Sequence, residues 1–378
     1  MVFVVALIIA YGIFSVGSLS SEQDMRLRTD RYNVGSDVNA IFALGENTSD
    51  YISSLAEIEG VESTTTEYRI SFSTTRGSLA ARAIDTETWL DTAFYENIWF
   101  SEPSIEDVMS EFTGEKIILP ITVARQLELD VGNMVTLLMP SGSSYQMEIV
   151  NLIGYSSPLE AIVGRIAGEF AFGGNYPSYI PFDFLNESGF IDYAEPHVLM
   201  KTTQGTNGTL VEQEILQLFP NVASTDSTTS RATEREASTF EMGATRARWL
   251  GVTFAIVLAI IGTSLIVSLT LKEKEYETAL LSVRGFTNSQ VLKVLVAEIM
   301  VMTLFSLILG IGTGFIWLFG DTANQSQNAQ ALVRPQIVLD PITLALMGLI
   351  ILAIVVSAIL PILRAARFNE NKINVLRE

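Results

Sequence analysis

The sequence predicts a membrane protein that combines four transmembrane α-helices with an α+β domain outside the membrane. Four apolar runs are each long enough, at about 1.5 Å per helical residue, to cross a hydrocarbon core of about 30 Å. These runs cover residues 2–19, 249–271, 291–318 and 342–363. A polar stretch, 20–248, separates the first two runs, and the mean hydropathy of +0.35 is typical of such a mixed chain.

Basic residues set the predicted orientation. Four lie in or next to the turn between the second and third runs, and four follow the last run, whereas the loop between the third and fourth runs has only Arg334. Cytoplasmic loops carry an excess of Lys and Arg, so the turn and the C-terminus are predicted to be cytoplasmic. With four spans, the N-terminus is cytoplasmic too and the large polar domain is extracytoplasmic.

The predicted organisation therefore has eight segments. They are transmembrane helix 1 at 1–20, the extracytoplasmic domain at 21–248, transmembrane helix 2 at 249–271, a cytoplasmic helix at 272–290, transmembrane helix 3 at 291–318, an external loop at 319–340, transmembrane helix 4 at 341–363 and a cytoplasmic tail at 364–378. The first run is expected to be a retained anchor rather than a signal peptide, because no basic region precedes it.

Charge and composition exclude several classes of function. The polar stretch 20–248 has 34 Asp and Glu against 14 Lys and Arg, a net charge of −20, and so accounts for the chain's total of −19. Such a surface argues against nucleic acid as a partner. The chain has no cysteine and one histidine, His197, which rules out disulfides and His-rich zinc sites within it. No P-loop is present. We expect no catalytic residue, no metal and no cofactor.

The extracytoplasmic domain is predicted to contain two subdomains. A strand near 37–42, a helix at 51–58 and a strand at 61–74 make a βαβ-type subdomain. A small β-rich subdomain at about 114–185 follows, with short strands, one two-turn helix and a Ser/Gly hairpin.

The turn at 272–290 has a helical pattern of its own. Tyr276, Ala279, Leu280 and Val283 fall on one face, and Gly285 is a natural stop. Two interpretations remain open. The helix either lies on the lipid headgroups, as many amphipathic helices do, or docks in the groove of a cytoplasmic partner.

This turn resembles the FtsX/MacB-type permeases of ABC transporters. The residues that match the family's E-x-A-L-L-R-x-x-G type pattern are Glu277, Ala279, Leu280, Leu281, Arg284 and Gly285, followed by the early acid of the next span, Glu298. The chain departs from the pattern at Ser282, where the family often has Arg. An acid within a span is costly and often functional, so Glu298 is a candidate coupling residue. It is also shallow enough to reach headgroups or Lys293.

Three further stretches resemble the same family. KIILPITVARQLELDVGNMVTLLM is similar to its outer small-barrel segment, RAARFNENKINVLRE to its closing tail, and RYNVGSDV to the stretch after the first span in the second half of duplicated permeases.

The resemblance implies a MacB-like periplasmic core and a non-enzymatic permease subunit in a prokaryotic cell membrane, bacterial or archaeal. Its implied partners are a cytoplasmic ABC ATPase bound at the turn, a second permease half in a homodimer or heterodimer, the lipid bilayer and an unknown extracytoplasmic substrate. ATP hydrolysis on the partner would move the outer domain and drive export of a lipoprotein, lipid, peptide or drug-like substrate.

Two alternatives remain. One is a mechanotransmission regulator of an extracytoplasmic cell-wall enzyme, which would use the same turn. The other is a membrane-anchored receptor or adhesin, in which the C-terminal spans serve only as an anchor and need no amphipathic helix with a glycine stop.

Overall fold

The computed structural model describes residues 2–375 except 75–76, 139–141, 156–175, 275–276, 278–279, 282–283 and 329–331. The chain divides into two compact units. The membrane unit comprises Met1–Met25, Thr239–Asn328 and Pro335–Glu378, and the α/β unit comprises Arg26–Ser238 and Ala329–Arg334.

Eleven α-helices and nine strands lie in the described part of the chain. The helices are α1 (Val2–Val34), α2 (Ser49–Ala56), α3 (Trp89–Thr92), α4 (Ile105–Met109), α5 (Ile121–Leu127), α6 (Phe182–Glu187), α7 (Gly208–Leu218), α8 (Thr228–Ala237), α9 (Thr239–Glu273), α10 (Asn288–Asn328) and α11 (Pro341–Val375). The strands are β1 (Val38–Phe42), β2 (Val61–Thr74), β3 (Gly77–Ile84), β4 (Lys116–Pro120), β5 (Met134–Leu138), β6 (Ser144–Ile153), β7 (Ser178–Pro181), β8 (Glu195–Thr202) and β9 (Val222–Ser227).

Four helices are long and apolar enough to cross a membrane: α1, α9, α10 and α11. All four continue past their apolar runs, and α10 and α11 run on to Asn328 and Val375. Helix α1 runs on to Val34 and α9 begins at Thr239, ten residues before its run. Hydropathy marks only the residues that suit lipid, whereas a helix ends where its hydrogen bonds are broken or capped. Nothing in the polar flanks of α1 and α9 breaks the backbone ladder.

Glycines let α10 pack closely on α1 inside the membrane unit. A Cβ built on Gly310 would lie 2.6 Å from Ile9 Cβ and 2.8 Å from the carbonyl oxygen of Ala6. One on Gly314 would lie 3.0 Å from the carbonyl oxygen of Ala10. Spacing of four residues places both glycines on one face, which is how membrane helices bring their backbones together.

The α/β unit is built on one nine-stranded sheet, in the order β3-β7-β4-β6-β5-β2-β8-β1-β9. Because β3 also pairs with β2, the first six strands close on themselves as a small barrel. Alternate side chains of these strands fill its interior, among them Tyr68, Phe72, Ile117 and Met147. The predicted β-rich stretch 114–185 supplies β4 to β7, and the long β2 and its neighbour β3 supply the rest.

Beyond the barrel the sheet continues as β2-β8-β1-β9, with α2 and α7 packed on one face. The units β1-α2-β2 and β8-α7-β9 each carry a strand, a helix and a strand, an arrangement known as a split βαβ fold. Its core includes Val38, Leu55, Val198 and Ile215, all fully buried. The predicted combination of four apolar helices with an α+β domain is therefore confirmed.

Candidate functional site

The α9–α10 turn is the first candidate site. Glu277, Leu280 and Leu281 are helical, and Arg284 and Gly285 lie in a turn. The amide of Phe286 donates to the carbonyl of Leu281 (3.3 Å) across a residue with positive φ, Gly285 at 91°. This bond over a left-handed residue is the geometry that commonly closes helix C-termini, and it favours glycine. The predicted stop at Gly285 thus has a backbone cause.

Apolar side chains of this turn face away from the chain. Leu280 is 48% exposed and Phe286 is 45% exposed, and no heavy atom lies within 4 Å of a Cβ built on Gly285. Glu277 and Arg284 are also exposed. Ala279 of the predicted motif lies outside the described residues, as do Tyr276, Ser282 and Val283.

The helix after the turn has a well-formed start. The amide and the hydroxyl of Thr287 both donate to Oε1 of Gln290, at 3.0 and 3.1 Å. This side chain reaching back from the first turn satisfies an amide that would otherwise lack a partner. The chain between α9 and α10 is therefore held by a backbone stop on one side and a side-chain cap on the other.

Glu298 pairs with a residue of the preceding helix end. Its carboxylate accepts a hydrogen bond from Nζ of Lys274, which follows the last residue of α9. The structure pairs Glu298 with Lys274 rather than with Lys293. Five residues along a helix turn by about 500°, so positions 293 and 298 point to different faces. The observed ion pair ties the start of α10 to the end of α9.

The second candidate site is the α10–α11 connection, where the chain enters the α/β unit. Leu332 is 0% exposed and Val333 is 1% exposed. Both belong to an apolar cluster of that unit that also contains Trp89, Trp99 and Tyr179. Two side chains from a loop between membrane helices thus complete the core of a separate unit.

Polar contacts hold Leu332 and Arg334 in the same connection. The Tyr155 hydroxyl donates to the carbonyl of Leu332 at 2.8 Å, and the Arg334 guanidinium lies 3.5 Å from the Tyr155 ring centroid. Arg28 Nη2 donates to the carbonyl of Arg334 at 2.7 Å while its Nη1 pairs with Glu96 at 2.7 Å. Burial, with a contribution from Glu96, raises the pKa of Tyr155 to about 12, so its hydroxyl stays a donor at neutral pH.

After Arg334 the connection is held within the membrane unit. The Ser21 hydroxyl accepts from the amide of Val338 at 3.2 Å, and the Ser20 hydroxyl donates to Asp340 at 3.3 Å. Asp340 in turn caps α11 by accepting from the amide of Thr343 at 2.9 Å. Each part of this connection is therefore fastened to the unit to which it belongs.

This second site was not predicted from the sequence. Arg334 entered the prediction of membrane orientation only, as the one basic residue of its loop. A signal was available in the Leu332-Val333 pair, the one apolar pair between polar residues 321–330 and Pro335. Such a pair in a loop has to be covered by something.

No cluster of three or more metal-ligating side chains occurs in the described ranges. His197 is 1% exposed and packed in the α/β unit. Its ring contacts Asn39 and Glu195 rather than a second histidine or a hydroxyl nucleophile.

Comparison with known proteins gives a family match for the C-terminal part of the chain. Residues 249–369 match the family model described as FtsX-like permease C-terminal. Among solved structures, the periplasmic region of MacB from Actinobacillus actinomycetemcomitans is similar at 10% identity and a TM-score of 0.32, over 54% of this chain and 95% of that one. The extracellular domain of the noncanonic ABC-type transporter YknZ from Gram-positive bacteria has 9% identity and a TM-score of 0.31, over 50% and 98%. No curated protein sequence matches the chain.

Proposed function

We propose that this chain, whose residues 249–369 match the FtsX-like permease C-terminal family model, is the transmembrane subunit of an ABC transporter complex. A separate cytoplasmic ATPase hydrolyses ATP, and the permease converts the closure of that ATPase into movement of the α/β unit. The cargo belongs to the lipoprotein, lipid, peptide or drug-like classes and is exported or extruded on the outer side.

The observation that carries this proposal is the exposed, capped α9–α10 turn. Leu280 and Phe286 are 48% and 45% exposed among the described residues, so both present apolar surface. Glycine and glutamine caps on either side keep that surface in one geometry. A partner docking on a rigid turn moves the helices attached to it rather than bending the turn.

The attached helices are continuous. Helix α9 runs unbroken for 35 residues from Thr239 to Glu273, and α10 runs for 41 residues from Asn288 to Asn328. Displacement at the turn therefore reaches Ser238, the last residue of the α/β unit before α9, without crossing a flexible link.

The proposed ATPase contacts are the residues of the matched motif, and Glu298 is the proposed coupling residue inside the membrane. The contacts are Glu277, Ala279, Leu280, Leu281, Arg284 and Gly285. The ion pair between Glu298 and Lys274 supports the role of Glu298, because this pair joins the two helices that the ATPase would move together.

The proposed orientation places the turn and both termini in the cytoplasm of a prokaryotic cell and the α/β unit outside. A second permease half completes the complex, since an ATPase dimer presents two equivalent docking sites.

The test replaces the exposed Leu280 with Glu in the complex purified with its ATPase. We expect ATPase co-purification and permease-dependent ATP hydrolysis to fall at least tenfold, because a charge enters the docked apolar face. Leu339→Glu is the matched control, since Leu339 is 39% exposed on the other connection. Full ATPase coupling in Leu280→Glu would overturn the proposal and favour the membrane-anchored receptor instead.

A further inference from the structure

A groove of about 590 Å³ opens on the α/β unit, on the face of β2 and β3 opposite the barrel interior. Ser71 and Ala80, directly paired across the two strands and both exposed, form its floor. The aromatic side chains of Tyr32 and Tyr193 also line the groove. Small side chains below aromatic ones leave room for a flat or slender ligand.

Two arginines form the deep end of the groove. Arg69 on β2 and Arg82 on β3 are directly paired in the sheet, and both line the groove. Two like charges in this position require an anion, and Glu67 supplies it. Its carboxylate, 1% exposed, accepts from Arg69 Nε at 3.0 Å and lies 3.3 Å from Arg82 Nη1. Burial acts to raise the pKa of Glu67, but Arg82 and Arg69 lower it to about 2.

One carboxylate does not satisfy two guanidinium groups. Each guanidinium has five N–H donors. Nη2 of Arg69 has no hydrogen-bond partner among the described residues, although it is shielded from solvent. The Arg69 and Arg82 side chains are 30% and 15% exposed, and both line the groove.

The carboxylate at the rim is engaged elsewhere. Glu195 lines the groove, and its Oε2 lies 3.1 Å from His197 Nε2. Burial and the charge of Arg69 lower the pKa of His197 to about 4, so the ring is neutral at pH 7. The Asn39 amide lies 3.0 Å from Nδ1 and donates to it, which leaves Nε2–H to donate to Glu195. Glu195 is directly paired with Arg69 in the sheet, and its carboxylate is engaged by His197 at the rim of the groove.

We propose that the groove binds a small ligand bearing a carboxylate or phosphate, which Arg69 and Arg82 hold while its body lies over Ser71 and Ala80 between the tyrosines. Paired planar guanidiniums match the oxygen spacing of both groups. The site stands out because the rest of this unit is strongly acidic. Binding at the groove is independent of the proposed function. Only the further step, that the ligand is the cargo, rests on it.

The experiment titrates the full chain, in nanodiscs of phosphatidylcholine, with phenyl phosphate and with benzoate, and follows heat release. Benzyl alcohol is the uncharged control. We expect saturable binding of at least one anion and none of the alcohol, and the preferred anion identifies the ligand chemistry.

Three variants localise the binding. Ser71→Phe fills the floor and should weaken anion affinity at least tenfold, whereas Ser73→Phe, exposed on the same face of β2 but outside the groove, should not change it. Arg69→Gln should also weaken binding at least tenfold. Glu195→Gln keeps an acceptor for His197 but removes a like charge, so it should strengthen binding severalfold.

Either of two results would overturn the proposal: no saturable anion binding, or anion binding that is equal in Ser71→Phe and Ser73→Phe. Weaker anion binding in Glu195→Gln would show that the Glu195 charge does not oppose the ligand, and it would overturn the proposal as well. ATPase coupling is measured separately on the same variants. Full coupling in Leu280→Glu with intact anion binding would show that the proposed function has failed. Loss of coupling in Leu280→Glu with no anion binding to the unaltered chain would show that the groove proposal has failed.

Discussion

The two connections that join α10 to its neighbours treat their apolar residues in opposite ways. In the α9–α10 turn, Leu280 and Phe286 are 48% and 45% exposed. In the α10–α11 connection, Leu332 and Val333 are 0% and 1% exposed, inside the core of the α/β unit. Both connections are short, and both link long apolar helices.

The difference indicates what each end of α10 is for. Burial of Leu332 and Val333 stabilises the connection within this chain, with no partner required. Leu280 and Phe286 are about half exposed among the described residues, which leaves apolar surface that the proposed ATPase would cover. One end of α10 is fastened to the protein's own domain, and the other end is available to the proposed ATPase.

The largest expected effect comes from truncating Leu332, a buried side chain of the α10–α11 connection. Leu332→Ala leaves a cavity in the cluster that contains Trp89 and Trp99, which should cost about 2–5 kcal/mol of local stability. Hydrogen exchange on the full chain should show the loss in the amides around those two tryptophans. Leu339→Ala, on the same connection but 39% exposed, should change it by less than about 0.5 kcal/mol.

Unchanged hydrogen-exchange protection in Leu332→Ala would remove the contrast between the two connections, because it would mean that the α10–α11 connection is not part of the core. If instead protection is lost while ATPase co-purification remains, the two ends of α10 act independently, as their different burial indicates.

The middle of α10 gives the next effect. Gly310→Ala places a methyl group 2.6 Å from Ile9 Cβ and 2.8 Å from the Ala6 carbonyl oxygen, so α1 must shift. Overpacking of this kind costs about 1–3 kcal/mol. Gly312→Ala is the matched control, because nothing lies within 4 Å of its Cβ. Unfolding of the purified chain in mixed micelles should show lower stability for Gly310→Ala only. Equal stability of the two variants would mean that α10 does not need close contact with α1 to hold its two connections.

Several of these features follow from local sequence patterns. Apolar runs predicted all four membrane helices, because lipid selects side chains over a continuous stretch. Gly285 predicted a helix stop, because its positive φ is a property of the residue and its immediate neighbours. The matched motif around Leu280 and the family match at 249–369 agree with each other.

Other features depend on contacts between distant residues, which no local pattern encodes. The destination of Leu332 is set by a cluster more than 150 residues earlier in the chain. The barrel closes because the 14-residue β2 pairs with β3, β5 and β8 along its length. Arg69 and Arg82 form a groove only once β2 and β3 are paired, since nothing in their spacing of 13 residues marks a site.

The smallest expected effect comes from breaking the ion pair near the N-terminal end of α10. Lys274 and Glu298 join α9 to α10, and their side chains are 23% and 37% exposed. Pairs this accessible contribute up to about 1 kcal/mol. In a double-mutant cycle of Lys274→Met and Glu298→Gln, stability should show a coupling of that size, and ATPase coupling should fall severalfold in both single variants. If the pair moves the two helices together, the double variant should be no worse than either single one, because the second change removes a contact already lost. Additive losses would show instead that the two residues act separately, and Glu298 would then lose its proposed role as a link between the turn and the long helix beyond it.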